Sequence, residues 1–221
     1  MTQDQVAAKI REIGIVPVVR AKSAKQAQLA ADAVCAGGVP IVEVTMTVPG
    51  AVELISQLAK TTGNGVLIGA GTVLDAETAR RCLDAGAQFV VSPGFDLETV
   101  RFVKQQKVLM MAGALTPTEV ISAWKAGSDF VKIFPCGSMG GAKYLKALKA
   151  PLPQVPMIPT GGVNLETAAD MIRAGAEALG IGGELVSAAA LASGDAAPIT
   201  DAARKYVEIV CATREDMGRK A

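Results

Sequence analysis

Histidine is absent from all 221 residues. That absence removes Ser-His-Asp and Cys-His nucleophilic mechanisms and His-rich catalytic zinc sites. Acid–base chemistry falls to Glu, Asp, Lys, Tyr or water. Cysteine is sparse: Cys35, Cys82, Cys136 and Cys211 are scattered and form no CxxC pair, so they read as reduced thiols used in packing. Only eight residues are aromatic, five Phe, two Tyr and one Trp, which points to an aliphatic interior. No apolar run approaches the roughly 18 residues needed to span a membrane. The opening Met1-Thr2-Gln3-Asp4-Gln5 has no basic stretch and no apolar signal core, so the expectation is a cytoplasmic protein. An excess of one charge sign is also missing. The 22 basic and 21 acidic residues leave a net charge of +1, and they give no reason to expect a nucleic-acid or membrane partner.

What is present is a hydrophobic half of the chain and 23 glycines. Eight short apolar runs read as strands: Ile15–Val19, Pro40–Thr45, Val66–Ala70, Gln88–Ser92, Val108–Ala112, Asp129–Phe134, Val155–Pro159 and Glu177–Ile181. Their nearly continuous apolar character suits a parallel sheet buried on both faces. The intervals carry apolar residues at i, i+3 and i+4, as in Ala24–Val34, Ala76–Leu83, Pro117–Trp124 and Leu165–Ile172, a helical spacing. Four similar tripeptides, Cys35-Ala36-Gly37, Asp84-Ala85-Gly86, Lys125-Ala126-Gly127 and Arg173-Ala174-Gly175, each close a helix before a strand. Glycine there can take the left-handed conformation that stops a helix. Thr116-Pro117-Thr118-Glu119 marks one helix start and Asn164 a second, capping a helix from Leu165. The expected architecture is α/β, a single (β/α)₈ TIM barrel over 1–221. An extra helix at about 2–13 closes its bottom, and the barrel runs from about 15 to 215. A doubly wound nucleotide-binding sheet would place a glycine-rich loop after strand one, where this chain has Val18-Val19-Arg20-Ala21-Lys22.

In such a barrel the C-terminal strand ends carry the chemistry. The polar residues there are Arg20, Glu43 with Thr45 and Thr47, Thr72, Ser92, Lys132 and Thr160. Lys132 lies inside Phe130-Val131-Lys132-Ile133-Phe134. A lysine so placed is costly to keep charged, and the neutral amine is the nucleophile that attacks a ketone. It could equally snorkel to the rim or pair with a buried carboxylate. Glu43 lies inside Pro40-Ile41-Val42-Glu43-Val44-Thr45, either as that ion-pair partner or as a general acid/base. Together they make a minimal Schiff-base pair. Two glycine-rich turns, Thr160-Gly161-Gly162-Val163 after strand seven and Gly180-Ile181-Gly182-Gly183 after strand eight, offer backbone amides where barrels often bind phosphate.

These segments resemble the 2-dehydro-3-deoxy-phosphogluconate aldolase and 4-hydroxy-2-oxoglutarate aldolase family. The likeness is carried by Ile15–Arg20, Val42–Thr45, Gly69-Ala70-Gly71-Thr72-Val73, Val91-Ser92-Pro93-Gly94, Phe130–Pro135 and Pro159–Val163. They keep the family's order over about residues 12–187. The resemblance implies a homotrimeric class I aldolase that needs no cofactor and no metal. It would cleave its 2-oxo acid, phosphorylated in the main activity, to pyruvate and glyceraldehyde 3-phosphate. It assigns Lys132 to the Schiff base, Glu43 to proton transfer, Thr72 to the pyruvate carboxylate, and Gly161 and Gly162 to the phosphate. Arg20, Thr47, Pro93, Phe134, Thr160, Gly182 and Gly183 complete the expected substrate-binding set. Two positions depart from relatives. Thr47 stands where several members have a carboxylate-binding arginine, leaving Arg20 to supply that charge. Gly183, followed by Glu184, stands where many have a phosphate-binding serine. Alternatives on the same fold are a galactonate-epimer or unphosphorylated 4-hydroxy-2-oxoglutarate aldolase, or a non-catalytic oligomeric scaffold.

Overall fold

The computed structural model describes residues 1–62 and 65–218. Helix α1 (Gln3–Ile13) precedes the strands β1 (Ile15–Val19), β2 (Ile41–Thr45), β3 (Leu67–Gly71), β4 (Phe89–Val91), β5 (Leu109–Ala114), β6 (Phe130–Ile133), β7 (Met157–Pro159) and β8 (Leu179–Ile181). Between them run α2 (Ala24–Ala36), α3 (Ala51–Thr61), α4 (Ala76–Asp84), α5 (Leu97–Gln105), α6 (Pro117–Lys125), α7 (Ala142–Lys149) and α8 (Ala168–Arg173). Helices α9 (Ala188–Ser193) and α10 (Ala197–Asp216) follow β8. All pairings are parallel, in the order β7-β6-β5-β4-β3-β2-β1-β8. Bridges Met157↔Ala176 and Thr160↔Gly180 join β7 to the β8 segment and close the ring. The expected TIM barrel is the observed one. Every strand residue is buried, which explains runs without polar alternation.

Local signals set the helix starts. Thr116 and Glu119 form a reciprocal capping box with Pro117 in the first turn, and Thr2 with Gln5 does the same for α1. Ser23, Asp75 and Asp96 cap α2, α4 and α5. One expected start is corrected. Helix α8 begins at Ala168, not Leu165, and Asn164 Oδ1, accepting from the amides of Glu166 (3.0 Å) and Thr167 (2.9 Å), caps the turn that leads into it. The glycine stops also need one correction. Gly86, Gly127 and Gly175 have φ of 102°, 95° and 101° as expected, but in the first repeat the left-handed residue is Gly38, at 90°. Gly37 has φ −83° and is bare for another reason. A Cβ there would lie 2.4 Å from the Ala203 Cβ, so the close approach of α10 excludes a side chain.

Helix α1 crosses the N-terminal end of the barrel, held by Arg11 to Glu177 at 3.0 Å and by Gln3 to Asp129. Buried Arg214 of α10 reaches the same end, donating to the carbonyls of Glu12 (2.8 Å) and Glu177 (3.1 Å). Asp129 is the busiest acceptor there. Its oxygens take Lys104 Nζ at 2.7 Å and the Met110 amide at 2.8 Å, tying α5, β5 and α1 to the start of β6. The four cysteines are free thiols. No helix among the described residues is long and apolar enough to cross a membrane.

Removing the Asp129 carboxylate leaves several donors without their acceptor. Asp129→Ala is expected to cost about 1.5–3 kcal/mol, the range for hydrogen bonds to a charged group. A drop in Tm on the order of 3–12 °C would report it. Asp170→Ala breaks an exposed i,i+3 pair and should stay within about 1 kcal/mol. Thermal unfolding of both variants checks the contrast.

Candidate active site

Lys132 and Glu43 reach the barrel interior from opposite parts of the ring, β6 and β2. The pleat turns both inward, and the apolar neighbours that bury their strands bury them too. Lys132 is 5% exposed and Glu43 2%. Lys132 Nζ lies 3.8 Å from Glu43 Oε1, an ion pair too long for a hydrogen bond. The ammonium also sits 5.5 Å from the centre of the Phe134 ring, within cation–π range. Glu43 Oε1 accepts no hydrogen bond among the described residues. Burial pushes the Glu43 carboxyl above its ordinary range, and the positive charges of Lys132 and Arg20 only partly oppose this. The pair therefore sets a primary amine beside a carboxyl that keeps its proton to higher pH than an exposed one.

The rim residues divide by what they touch. Thr45 Oγ1 donates to the Val19 carbonyl at 3.1 Å and lies 2.6 Å from Thr47 Oγ1, so these two hydroxyls tie β2 to β1. Thr72 follows β3 with φ 58°, a genuine outlier for a β-branched residue and a form of backbone strain that gathers at functional sites. Ser92 Oγ donates to the Gly94 carbonyl at 2.7 Å and accepts from the Gly113 amide at 3.3 Å. It clamps the Pro93 turn onto β5 and is not free for a ligand. Gly113 is bare because a Cβ would meet the Pro93 carbonyl carbon at 2.2 Å.

A cavity of about 210 Å³ opens over β6, β7, β8 and β1, lined by Arg20, Phe134, Thr160, the Gly161–Gly162 and Gly182–Gly183 turns, and Glu184. Phe134 is shared with Lys132, so the cavity adjoins the lysine. The amides of Gly162, Gly182 and Gly183 donate to no acceptor among the described residues, while that of Gly161 is engaged in the Thr160↔Gly180 bridge. Gly161 and Gly162 have φ of 84° and 75°, and free amides in such turns form an anion nest. Arg20 is exposed and makes no ion pair among the described residues. Its guanidinium lies 3.6 Å from where a Gly182 Cβ would be, on the nest side of the site. It also edges a second hollow of about 250 Å³ shared with Lys22, Thr47 and Leu191. Glu184 is the one acid lining the nest cavity among the described residues. A larger hollow of about 560 Å³ lies at the opposite end, under α1, but its Arg11 and Glu177 are already paired, so size does not mark the chemistry. No group of three His, Cys, Asp or Glu side chains among the described residues could hold a metal ion.

Two site residues escape sequence reasoning. Gly137, just after β6, donates to the Gly161 carbonyl at 2.8 Å, and a Cβ on it would lie 2.8 Å from the Gly162 Cα. The nest thus rests on a backbone-to-backbone contact. Gly71 instead faces a side chain, with Glu43 Oε1 2.1 Å from where its Cβ would be. Neither glycine's sequence neighbours show which group it meets.

A model of the KDPG and KHG aldolase family matches residues 6–202. This chain belongs to that family. It is 35% identical over 202 residues to a 2-dehydro-3-deoxy-phosphogluconate aldolase of Treponema pallidum (strain Nichols), covering 91% of this chain and 95% of the relative. It is 36% identical over 195 residues to the KHG/KDPG aldolase of Escherichia coli (strain K12), covering 88% and 91%. Among solved structures, the Legionella pneumophila KDPG aldolase with pyruvate captured as a covalent carbinolamine superposes with a TM-score of 0.81. The two are 28% identical, with 90% of this chain and 96% of that one covered.

The raised Glu43 carboxyl makes stability pH-dependent. In the unfolded chain a glutamate ionises near 4.5, whereas folded Glu43 holds its proton to higher pH. Between those points the folded state binds more protons, so rising pH weakens the fold. Glu43→Gln removes that titration. The Tm of the variant minus that of the parent is expected to grow as pH rises above about 4.5, and to level off once folded Glu43 has ionised. A difference that is flat or shrinks with pH would contradict the burial.

Proposed function

We propose that this chain is a class I aldolase cleaving 2-dehydro-3-deoxy-6-phosphogluconate to pyruvate and glyceraldehyde 3-phosphate. The observation that carries the reading is Lys132, buried in a strand with Glu43 3.8 Å away and adjoining an anion nest. In this reading Lys132 Nζ attacks the C2 ketone to give a carbinolamine, and loss of water leaves the protonated imine. Glu43, through a water, takes the proton of the C4 hydroxyl as the C3–C4 bond breaks, releasing the aldehyde and leaving the enamine. Return of a proton to C3 and hydrolysis free pyruvate and the lysine. The 3.8 Å gap suits this shuttle, since a carboxylate bonded directly to the amine would restrain the nucleophile. The nest amides and Arg20 hold the phosphate, and Thr72 faces the carboxylate from β3. Thr47 leaves that carboxylate without a second cation.

Thr160 and Phe134 wall the path between the two ends, with Pro93 at the turn that Ser92 clamps. We place the enzyme in the cytoplasm as a homotrimer of one-domain subunits, on the strength of the family resemblance. Apolar Ile121 and Trp124, each 37% exposed on α6, provide surface of the kind an interface covers. The intact Lys132–Glu43 pair argues against a scaffold that has lost its activity, and says nothing of assembly.

Borohydride added with pyruvate is expected to leave one reduced adduct, mapped to Lys132 by peptide mass. Lys132→Arg should abolish both adduct and turnover, because a guanidinium stays protonated. An adduct on another residue, or turnover without one, would remove the Schiff-base assignment.

The anion nest makes a separate prediction. Phosphorylated substrate is expected to be preferred over its unphosphorylated counterpart. Position 183 lacks a hydroxyl, so Gly183→Ser should raise kcat/KM for the phosphorylated substrate alone. A well-formed bond to a charged group is worth about 1.5–3 kcal/mol, roughly 10- to 150-fold. Equal efficiency on both substrates, with no gain in the variant, would take phosphate out of this cavity.

A further inference from the structure

Three observations meet on one atom, Glu43 Oε1. It is the carboxyl oxygen nearest Lys132, at 3.8 Å. It has no hydrogen-bond partner among the described residues. It is also the atom that a Cβ on Gly71 would meet first, at 2.1 Å, with Glu43 Cδ and Cγ each at 2.7 Å. In the β2–β3 ladder Glu43 is level with Gly69 and Thr45 with Gly71, so the glutamate side chain leans two residues up its neighbour strand. No hydrogen bond fixes Oε1 there. What seats it is the bare face of Gly71 on one side and the charge of Lys132 on the other.

We propose that Gly71 is a positioning residue for Glu43: its missing side chain is the seat that aims the carboxyl at Lys132. This rests on the function proposed above. Gly71 is not among the glycines with positive φ, so its backbone conformation suits alanine and gives no other reason for glycine. The contact cannot be relieved by moving backbone cheaply, because the Gly71 carbonyl accepts from the Met46 amide at 2.8 Å and holds β3 to the end of β2. Alanine at 71 therefore displaces the carboxyl, and the displaced group leaves both its burial and its amine.

The test is a double-mutant cycle on the full-length enzyme. Gly71→Ala is expected to lower kcat by about 10²-fold or more, the lower end of what a positioned acid/base contributes. Borohydride trapping of pyruvate on Lys132 should persist. The acid limb of the kcat–pH profile should move to lower pH, because the displaced carboxyl regains water. Adding Gly71→Ala to Glu43→Gln should change kcat by less than about threefold, since there is no titrating group left to misplace. Near-parental kcat in Gly71→Ala, or an equal loss in both backgrounds, would overturn the proposal. If Gly71→Ala alone does not accumulate as folded protein, the Glu43→Ala/Gly71→Ala pair decides. It removes Cγ, Cδ and Oε1, the three atoms the new methyl would meet, so recovery of folded protein supports the contact, and renewed failure to fold overturns it. A parent enzyme that traps no imine overturns the aldolase reading itself, a result separable from additivity in the cycle.

Discussion

A lysine and a carboxyl that share the apolar interior of a closed barrel set the terms for everything around them. Each would cost several kcal/mol to bury alone, and their separation of 3.8 Å is close enough for mutual compensation without a fixed hydrogen bond. Eight strands buried throughout supply the low-dielectric surround that raises the Glu43 carboxyl. The barrel makes room for its few polar side chains by leaving neighbours bare. Glu43 lies against Gly71 and Thr160 against Gly180, each where a Cβ would come within 2.1 Å of a side-chain oxygen. Polar chemistry inside the barrel is thus a matter of paired positions on adjacent strands.

The two ends of the barrel do different work. The N-terminal end is tied by Asp129, Arg214 and the Arg11–Glu177 pair, each bonded across elements. At the C-terminal end, among the described residues, Arg20 makes no ion pair and the amides of Gly162, Gly182 and Gly183 meet no acceptor. Unsatisfied donors in one cavity are what an anionic group would complete. The division follows the usual logic of this architecture, in which stability is concentrated at one face and function at the other. The nest depends on Gly137 meeting Gly162 with no side chain between them, so the loop after the lysine strand also shapes the anion end.

Much of this was legible in the chain before any coordinates. Eight βα units, the N-terminal helix, the caps at Thr116 and Asn164, and the lysine and glutamate inside apolar strands all follow from patterns a few residues long. Caps bond i to i+3, helices repeat every 3.6 residues, and a charged residue in an apolar run stands out against its own neighbours. The KDPG and KHG aldolase motifs are equally local. One error is a local matter of where the turn after Asn164 becomes helix α8; the other falls where a distant element decides. Sequence could not separate Gly37 from Gly38, because α10, more than 160 residues later, is what excludes a side chain at 37.

The amino-acid sequence by itself determined the class of fold, the candidate nucleophile, and the exclusion of histidine chemistry, since those depend on composition and on short-range periodicity. Tertiary structure alone decided that Lys132 and Glu43, 89 positions apart in the chain, face each other at 3.8 Å. It also decided that Ser92 is a clamp and that Arg20 lies on the nest side of the site. It made Gly71 and Gly137 part of the machinery. A glycine is visible in a sequence, but only the approach of another strand or loop shows what its missing side chain makes room for.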